Sequence, residues 1–489
     1  MKVVLYNPQS SASRKPILPM SLLALGALLE GRHEYVMVDG NLEPDPLARL
    51  EGLAAEWGAG VLGMTVMPGP QLAQAVPLSR ELKLRHPGLT IVWGGYFPTQ
   101  HYEAVLRAPY VDYVVRGHGE VVFLQLLDLL ERGGSPADVA GLAYKTPAPA
   151  SNALAPIPHP EQLPDFPYDR VQMDRYVKRS YLGSHTLAHH SSYGCPFFCN
   201  FCAVVNMVHG RWLAQSAEHT ARVARRLHDE FGADALEFFD NNFFTAEARV
   251  ADFAERIRDL RLGWWGEARI DTLLKYAPAT WQAMARAGLK MVFMGAESGS
   301  DETLRRMHKG GTAATHKTLE IAQLMKGYGI IPEFSFVLGS PPDPEADTRQ
   351  TLEFVRRVKT VNPASEIILY MYTPVPLAGD LYDSAQAQGF RFPETLEEWV
   401  RPDWNRFALR RSTTMPWIRG ELRDYVRDFE RVLNAYYPTA TDVKLSRAHR
   451  AVLHVVSAWR YRTRFYDHPF ELRVLQRLLA YQRPETTGF

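Results

Sequence analysis

The chain has 489 residues, more than one hydrophobic core holds, so two or three domains are expected. Lys and Arg number 55 against 54 Asp and Glu, and the resulting charge of +1 excludes a global field for nucleic acid or other polyanions. Hydrophobic residues at 46% and charged residues at 22% are ordinary for a globular protein, and no uncharged apolar run approaches the roughly 20 residues that span a bilayer.

The opening Met1-Lys2-Val3-Val4-Leu5-Tyr6-Asn7-Pro8 reads as a short strand, not a secretory signal, and the expected location is the cytoplasm. Up to about residue 134, strand-length apolar runs alternate with amphipathic stretches. Strands are predicted over 3–6, 35–38, 61–66, 90–93 and 113–115, and helices over 21–29, 47–56, 71–84, 102–106 and 121–132. This alternation predicts a doubly wound parallel sheet, which binds ligands at the carboxyl ends of its strands. Ser10, Asn41, Thr65, Gly94, Gly95, Tyr96, Gly117 and Glu120 lie at those ends and are the candidate ligand residues. No G-x-G-x-x-G opens the first helix, which argues against a nicotinamide. His101 and His118 read as loop or surface histidines.

Residues 135–190 are rich in Pro and turn residues, Pro147 among them, and are predicted to be a linker with a few short strands. Next comes Tyr193-Gly194-Cys195-Pro196-Phe197-Phe198-Cys199-Asn200-Phe201-Cys202, which holds all three cysteines of the chain. Three thiols in one short loop make no sensible disulfide framework and suit a soft metal centre. A cubane cluster usually takes four thiolates, so three leave one iron open for a substrate or cofactor. A structural zinc site is the alternative; it needs a fourth ligand, for which His209 is the nearest candidate.

From 191 to 389 further βα steps follow, with polar residues at the strand ends, and predict a full or partial barrel with its site on that face. Tyr193, Glu333, Ser335 and Tyr372 are candidates for a substrate cavity, though packed positions account for them more readily. Residues 390–489 are predicted to be helical, with prominent Trp, Tyr and Arg, and to pack as a cap on the barrel; a surface for a membrane or large apolar substrate is the minor reading.

The spacing C-x3-C-x2-C matches the signature of the radical S-adenosylmethionine (radical SAM) superfamily. Asp240-Asn241-Asn242, Glu267-Ala268-Arg269-Ile270-Asp271, Gly295-Ala296-Glu297-Ser298-Gly299 with Leu304 and Lys309-Gly310, and the looser 374–382 segment resemble its later strand ends. The resemblance implies a six-stranded partial barrel and a 4Fe-4S cluster on Cys195, Cys199 and Cys202. It also implies that the open iron binds S-adenosylmethionine, which on reduction yields a 5'-deoxyadenosyl radical. Asp240 or Asn242 then suits the ammonium of that cofactor, Arg269 its carboxylate through a planar fork, and Glu297 a ribose hydroxyl or the amine. Phe201 suits adenine, and Glu267 joins the candidate set.

Pro19-Met20-Ser21-Leu22, Val38-Asp39-Gly40-Asn41, Trp93-Gly94-Gly95-Tyr96-Phe97-Pro98-Thr99 and 112–120 make the first part similar to the cobalamin-binding domain of one radical SAM subfamily. Such domains that ligate cobalt from below use Asp-x-His-x-x-Gly. Asn41 stands at the His and Pro44 at the Gly, so the implied cobalamin is held without protein histidine ligation. The subfamily implies methylation of an unactivated carbon, with an electron donor such as flavodoxin or ferredoxin. One S-adenosylmethionine charges cobalamin with methyl and a second makes the radical. Oxidative cyclisation or rearrangement without methyl transfer is the runner-up, as in the anaerobic magnesium-porphyrin cyclases. A non-catalytic cobalamin or iron–sulfur sensor is the reading from another class.

Overall fold

The computed structural model describes residues 1–10, 16–145, 149–309, 312–407 and 415–481. Ser11, Pro147 and Gly310 lie outside the described residues.

The first sheet has the order β2-β1-β3-β4-β5-β6-β7. Its parallel part is β1 (Lys2–Asn7), β2 (Glu34–Asp39), β3 (Val61–Thr65), β4 (Thr90–Gly94) and β5 (Tyr113–Val115). Near-continuous apolar runs such as Val3-Val4-Leu5-Tyr6, fully buried on both faces, are what a sheet covered by helices on both sides requires. β6 (Leu142–Tyr144) and β7 (Ala150–Ser151) add an antiparallel edge.

The second sheet has six parallel strands in the order β15-β14-β13-β12-β11-β8. They are β8 (Thr186–His189), β11 (Ala235–Phe238), β12 (Gly263–Ala268), β13 (Leu289–Glu297), β14 (Ile331–Leu338) and β15 (Glu366–Met371). Consecutive strands are neighbours, as in a barrel, and β8 and β15 are left as the two edges, so the barrel is partial. Residues 135–190 supply β6 and β7 to the first sheet and β8 to the second.

An aromatic cluster anchors the outer face of the barrel below the predicted site. Phe238, Phe243, Phe244, Phe253 and Trp264 are all fully buried, with Phe238 and Phe243 rings 4.6 Å apart and Phe244 stacked on Trp264 at 5.9 Å. Burying side chains of this size stabilises by roughly 2–3 kcal/mol each, and it fixes the Asp240-Asn241-Asn242 turn between them.

The tail touches both domains. The helix Leu396–Trp399 seats against the first domain, where Trp399 packs on Phe97 at 5.0 Å and on His101 at 4.7 Å. Arg80 pairs with Glu397 at 2.8 Å and Arg107 with Glu394 at 2.8 Å across the same contact. His101 is therefore no surface histidine: the aromatic cage keeps it neutral, and burial pulls its pKa down to about 3. Farther on, the tail does reach the barrel, where Trp417 donates to the Gly339 carbonyl at 2.9 Å.

Candidate functional site between two sets of strand ends

The cysteine loop leaves a small hairpin, β9 (Ser192–Gly194) paired antiparallel with β10 (Trp212–Ala214). Gly194 has φ +84°, and a Cβ there would meet the Arg211 carbonyl at 2.2 Å, so only glycine launches the loop this way. The far side of the loop is tied down by Asn200, whose amide side chain donates to the Arg306 carbonyl at 2.7 Å. His209 takes a left-handed turn position after the helix Val204–Val208 (φ 47°).

Charged and polar donors from the barrel surround the thiols. Arg269, at the end of β12, points Nη1 at Cys199 Sγ (3.7 Å), and Asn242 points Nδ2 at Cys195 Sγ (4.0 Å). Phe197 lies against the Arg269 guanidinium, 3.8 Å from its ring centroid. Burial pushes the Cys199 thiol up against the pull of Lys309 and Arg269, and pushes Cys202 up to about 12. Such thiols ionise when a metal takes the proton's place.

Two of the expected residues already have partners within the protein. The planar fork of Arg269 is not free for a carboxylate: Nε and Nη2 each bond Asp271 at 3.0 Å, and Nη2 also donates to the Lys309 carbonyl. Asp240 is fully buried and accepts from the Ser191 amide at 3.1 Å and hydroxyl at 2.8 Å, so it holds the strand end. Asn242 is the better-placed of that pair, since its buried Oδ1 has no hydrogen-bond partner.

Glu297 ends β13 with φ +64°, at a register shift against β14, and pairs with Lys309. A non-glycine residue held in that region costs on the order of 1 kcal/mol, which the buried ion pair sustains. Lys309 Nζ lies 5.8 Å from the Phe201 ring. Glu267 is raised to about 8, by burial first and by the charge of Asp240 second. Of the substrate-cavity candidates, Glu333 accepts from Trp265 at 3.0 Å, Ser335 is buried, and Tyr372 is buried with an unpartnered hydroxyl.

The first sheet faces this loop. A cavity of about 220 Å³ opens at its strand ends, lined by Thr65, Gly94, Gly95, Gly117 and Glu120 of the expected set. Its opposite wall is His190, Tyr193 and Met207, from either side of the cysteines. Ser10 and Asn41 are not in the lining. The Asn41 carbonyl oxygen accepts from the Ser10 amide at 2.9 Å, and its amide donates to Asp39 at 2.8 Å, closing a buried network with Asn7 and Gln71. Tyr96 instead turns toward the loop, where burial and then the charge of Cys202 raise its phenol. Gln100, one turn on, donates to the Ala203 carbonyl at 3.2 Å and accepts from Asn206 at 2.8 Å. His118, read as a loop residue, lies in the cavity with its ring 4.5 Å from Tyr193.

Comparison with known proteins decides what these two faces are. Residues 12–127 match the B12 binding domain family, and residues 190–355 match the Radical SAM superfamily. The chain carries a B12 binding domain followed by a Radical SAM domain. An uncharacterized methyltransferase of Pyrococcus horikoshii is 26% identical over 369 residues, 73% of this chain and 78% of the relative. An anaerobic magnesium-protoporphyrin IX monomethyl ester cyclase of Synechocystis is 26% identical over 383 residues, 76% and 75% of the two chains. The fold is that of the cobalamin-dependent S-adenosylmethionine radical enzyme OxsB, with TM-score 0.66 at 17% identity over 98% of this chain and 75% of that one.

The Radical SAM domain makes the chain a radical SAM enzyme and implies a 4Fe-4S cluster and S-adenosylmethionine, and the B12 binding domain implies cobalamin. The residues present fit these groups. Three thiols with cationic and amide donors suit a cluster with one open iron. On the other face, Gly95 has φ +93°, and a Cβ would come within 3.0 Å of Thr65 Oγ1, so the backbone is bared where a ligand approaches. Buried Glu120 Oε2 and His190 Nε2, both in the lining, have no hydrogen-bond partner.

Sequence reasoning missed His190, Met207 and Gln100. Only Gln100 carried a signal, as the polar residue one turn beyond Tyr96 on a short helix (Tyr96–Gln100) that went unpredicted.

Proposed function

We propose that this enzyme methylates an unactivated carbon of a small-molecule substrate, with cobalamin held without protein histidine ligation. What supports the reading is the shared cavity: strand ends of the B12-binding domain form one wall, and residues flanking the three cysteines form the other. Two reactive groups held on facing walls serve one substrate carbon between them. Cobalamin, when bound, supplies the methyl carrier, and the cluster supplies the electron that cleaves S-adenosylmethionine.

The chain's own residues do the rest. Cys195, Cys199 and Cys202 hold the cluster, and Arg269 and Asn242 offset thiolate charge by donating to two of them. Asn242 Oδ1 and the Glu297–Lys309 pair are the groups left to orient the cofactor's polar end. Asn41 is bound into the Asp39 network, which leaves the implied cobalamin no ligand from that position. A reductant of the flavodoxin or ferredoxin kind supplies electrons.

Oxidative cyclisation is the second reading, favoured by the similarity to the Synechocystis cyclase. Protein reconstituted without oxygen and given S-adenosylmethionine, reductant and candidate substrates separates the two. Methylation consumes two S-adenosylmethionine molecules per product, releasing S-adenosylhomocysteine from one and 5'-deoxyadenosine with methionine from the other, and the product gains one methylene unit. Formation of 5'-deoxyadenosine alone, with a product that has lost hydrogen, would establish the cyclase reading instead.

A further inference from the structure

The stretch 443–481 differs from the rest of the chain in charge and in surface. It carries eight Lys and Arg against Asp467 and Glu471, a formal +6 within a chain of +1. Among the described residues, eight of the fourteen exposed large hydrophobics also fall here.

The helix Arg447–Thr463 is apolar on two sides. Leu453 and Tyr461 are buried, and Tyr461 stacks on Tyr436 of the helix Gly420–Tyr436 at 4.2 Å. Val452, Val455 and Trp459 recur at i, i+3 and i+7 on the exposed side, Val455 at 71% exposure. On the next helix, Phe470–Leu478, the same happens at i, i+4 and i+8 with Phe470 (69%), Val474 and Leu478 (78%).

A junction links the two rows. Trp459 and Phe465 stack at 5.9 Å, Arg460 lies 4.7 and 5.1 Å from their centroids, and its guanidinium bonds Glu471 of the second helix. Arg462, Arg473 and Arg477 make no ion pair with the described residues, so their charge is available to a partner.

We propose that this double row docks on an anionic lipid surface, lying in the headgroup layer and not crossing it. Side chains that protrude at two-thirds exposure or more insert readily between lipids, and long Arg stems let the guanidinium reach phosphate while the methylenes stay in the apolar layer. Trp459 at the edge of the row suits the water–lipid boundary. A spanning role is excluded for the described helices, none of which is long and apolar enough.

Flotation of the full-length protein with vesicles tests this. An equimolar phosphatidylglycerol and phosphatidylcholine mixture is expected to carry most of the protein, and pure phosphatidylcholine little of it. The variant Val455→Glu/Leu478→Glu is expected to lose binding at least tenfold, and each of Arg473→Gln and Arg477→Gln to weaken it about fivefold. Release of 5'-deoxyadenosine should stay at the parent level in all of them, which shows that they fold. No flotation with anionic vesicles, or equal flotation of the parent and Val455→Glu/Leu478→Glu, would overturn the proposal. So would light scattering showing a dimer that the Glu variant dissociates while vesicles bind neither form, since the face would then belong to a second copy.

Discussion

The two sets of strand ends that meet at the cysteine loop are built from opposite materials. Those of the first sheet are mostly glycine and amide: Gly94, Gly95 and Gly117 bare the backbone, and Asn7, Asn41 and Gln71 close a buried network around the Asp39 carboxylate. Those of the second sheet are thiols and paired charges: Arg269 with Asp271 and Lys309 with Glu297, all buried. A large ligand with few charges is held by shape and backbone approach, whereas an anionic cluster and a zwitterionic cofactor are held by fixed charge in a low-dielectric site. The difference teaches that parallel strand ends set only where a ligand sits; the side chains at those ends set what kind it is.

Changes on the charged side should have the larger effects. Cys199→Ala removes a cluster ligand, and formation of 5'-deoxyadenosine should fall by at least about 10³-fold, with iron content falling alongside it. Arg269→Met leaves Asp271 buried without its partner and should cost about 3 kcal/mol of stability in urea unfolding of the apoprotein. The charge-conserving Arg269→Lys should recover only part of this, because it cannot bond Asp271 through two parallel donors.

On the glycine-rich side, Gly95→Val should fill the approach to Thr65. It should weaken cobalt retention about tenfold or more while iron content stays at the parent level. A pH test concerns Glu267. Its carboxyl is raised from 4.5 to about 8, so the native state keeps a proton that the unfolded chain has released. Apoprotein stability should therefore fall as pH rises from about 4.5 to about 8 and level off above, and Glu267→Gln should flatten that slope.

Much of the fold was readable because its signals are local. Runs such as Val3-Val4-Leu5-Tyr6 and Val61-Leu62-Gly63-Met64 show buried parallel strands directly, and three cysteines in eight residues show a metal loop. What escaped was set by distant partners. β8 lies in the stretch expected to hold only a few short strands, and its place in the second sheet is set by β11 beside it. The fork of Arg269 looks free until Asp271, two residues on, folds back against it. Asp240 and Asn242 are indistinguishable as a pair until Ser191 takes the first. His101 looks like a loop histidine because Trp399, its cage wall, lies almost 300 residues away in sequence.

The most direct test of the account is the metal content of protein reconstituted without oxygen in the presence of iron, sulfide and hydroxocobalamin. About four irons and about one cobalt per chain, with a visible spectrum free of histidine ligation, are the predicted result. Iron without cobalt would reduce the first domain to a scaffold and contradict a reaction carried between the two walls of the cavity.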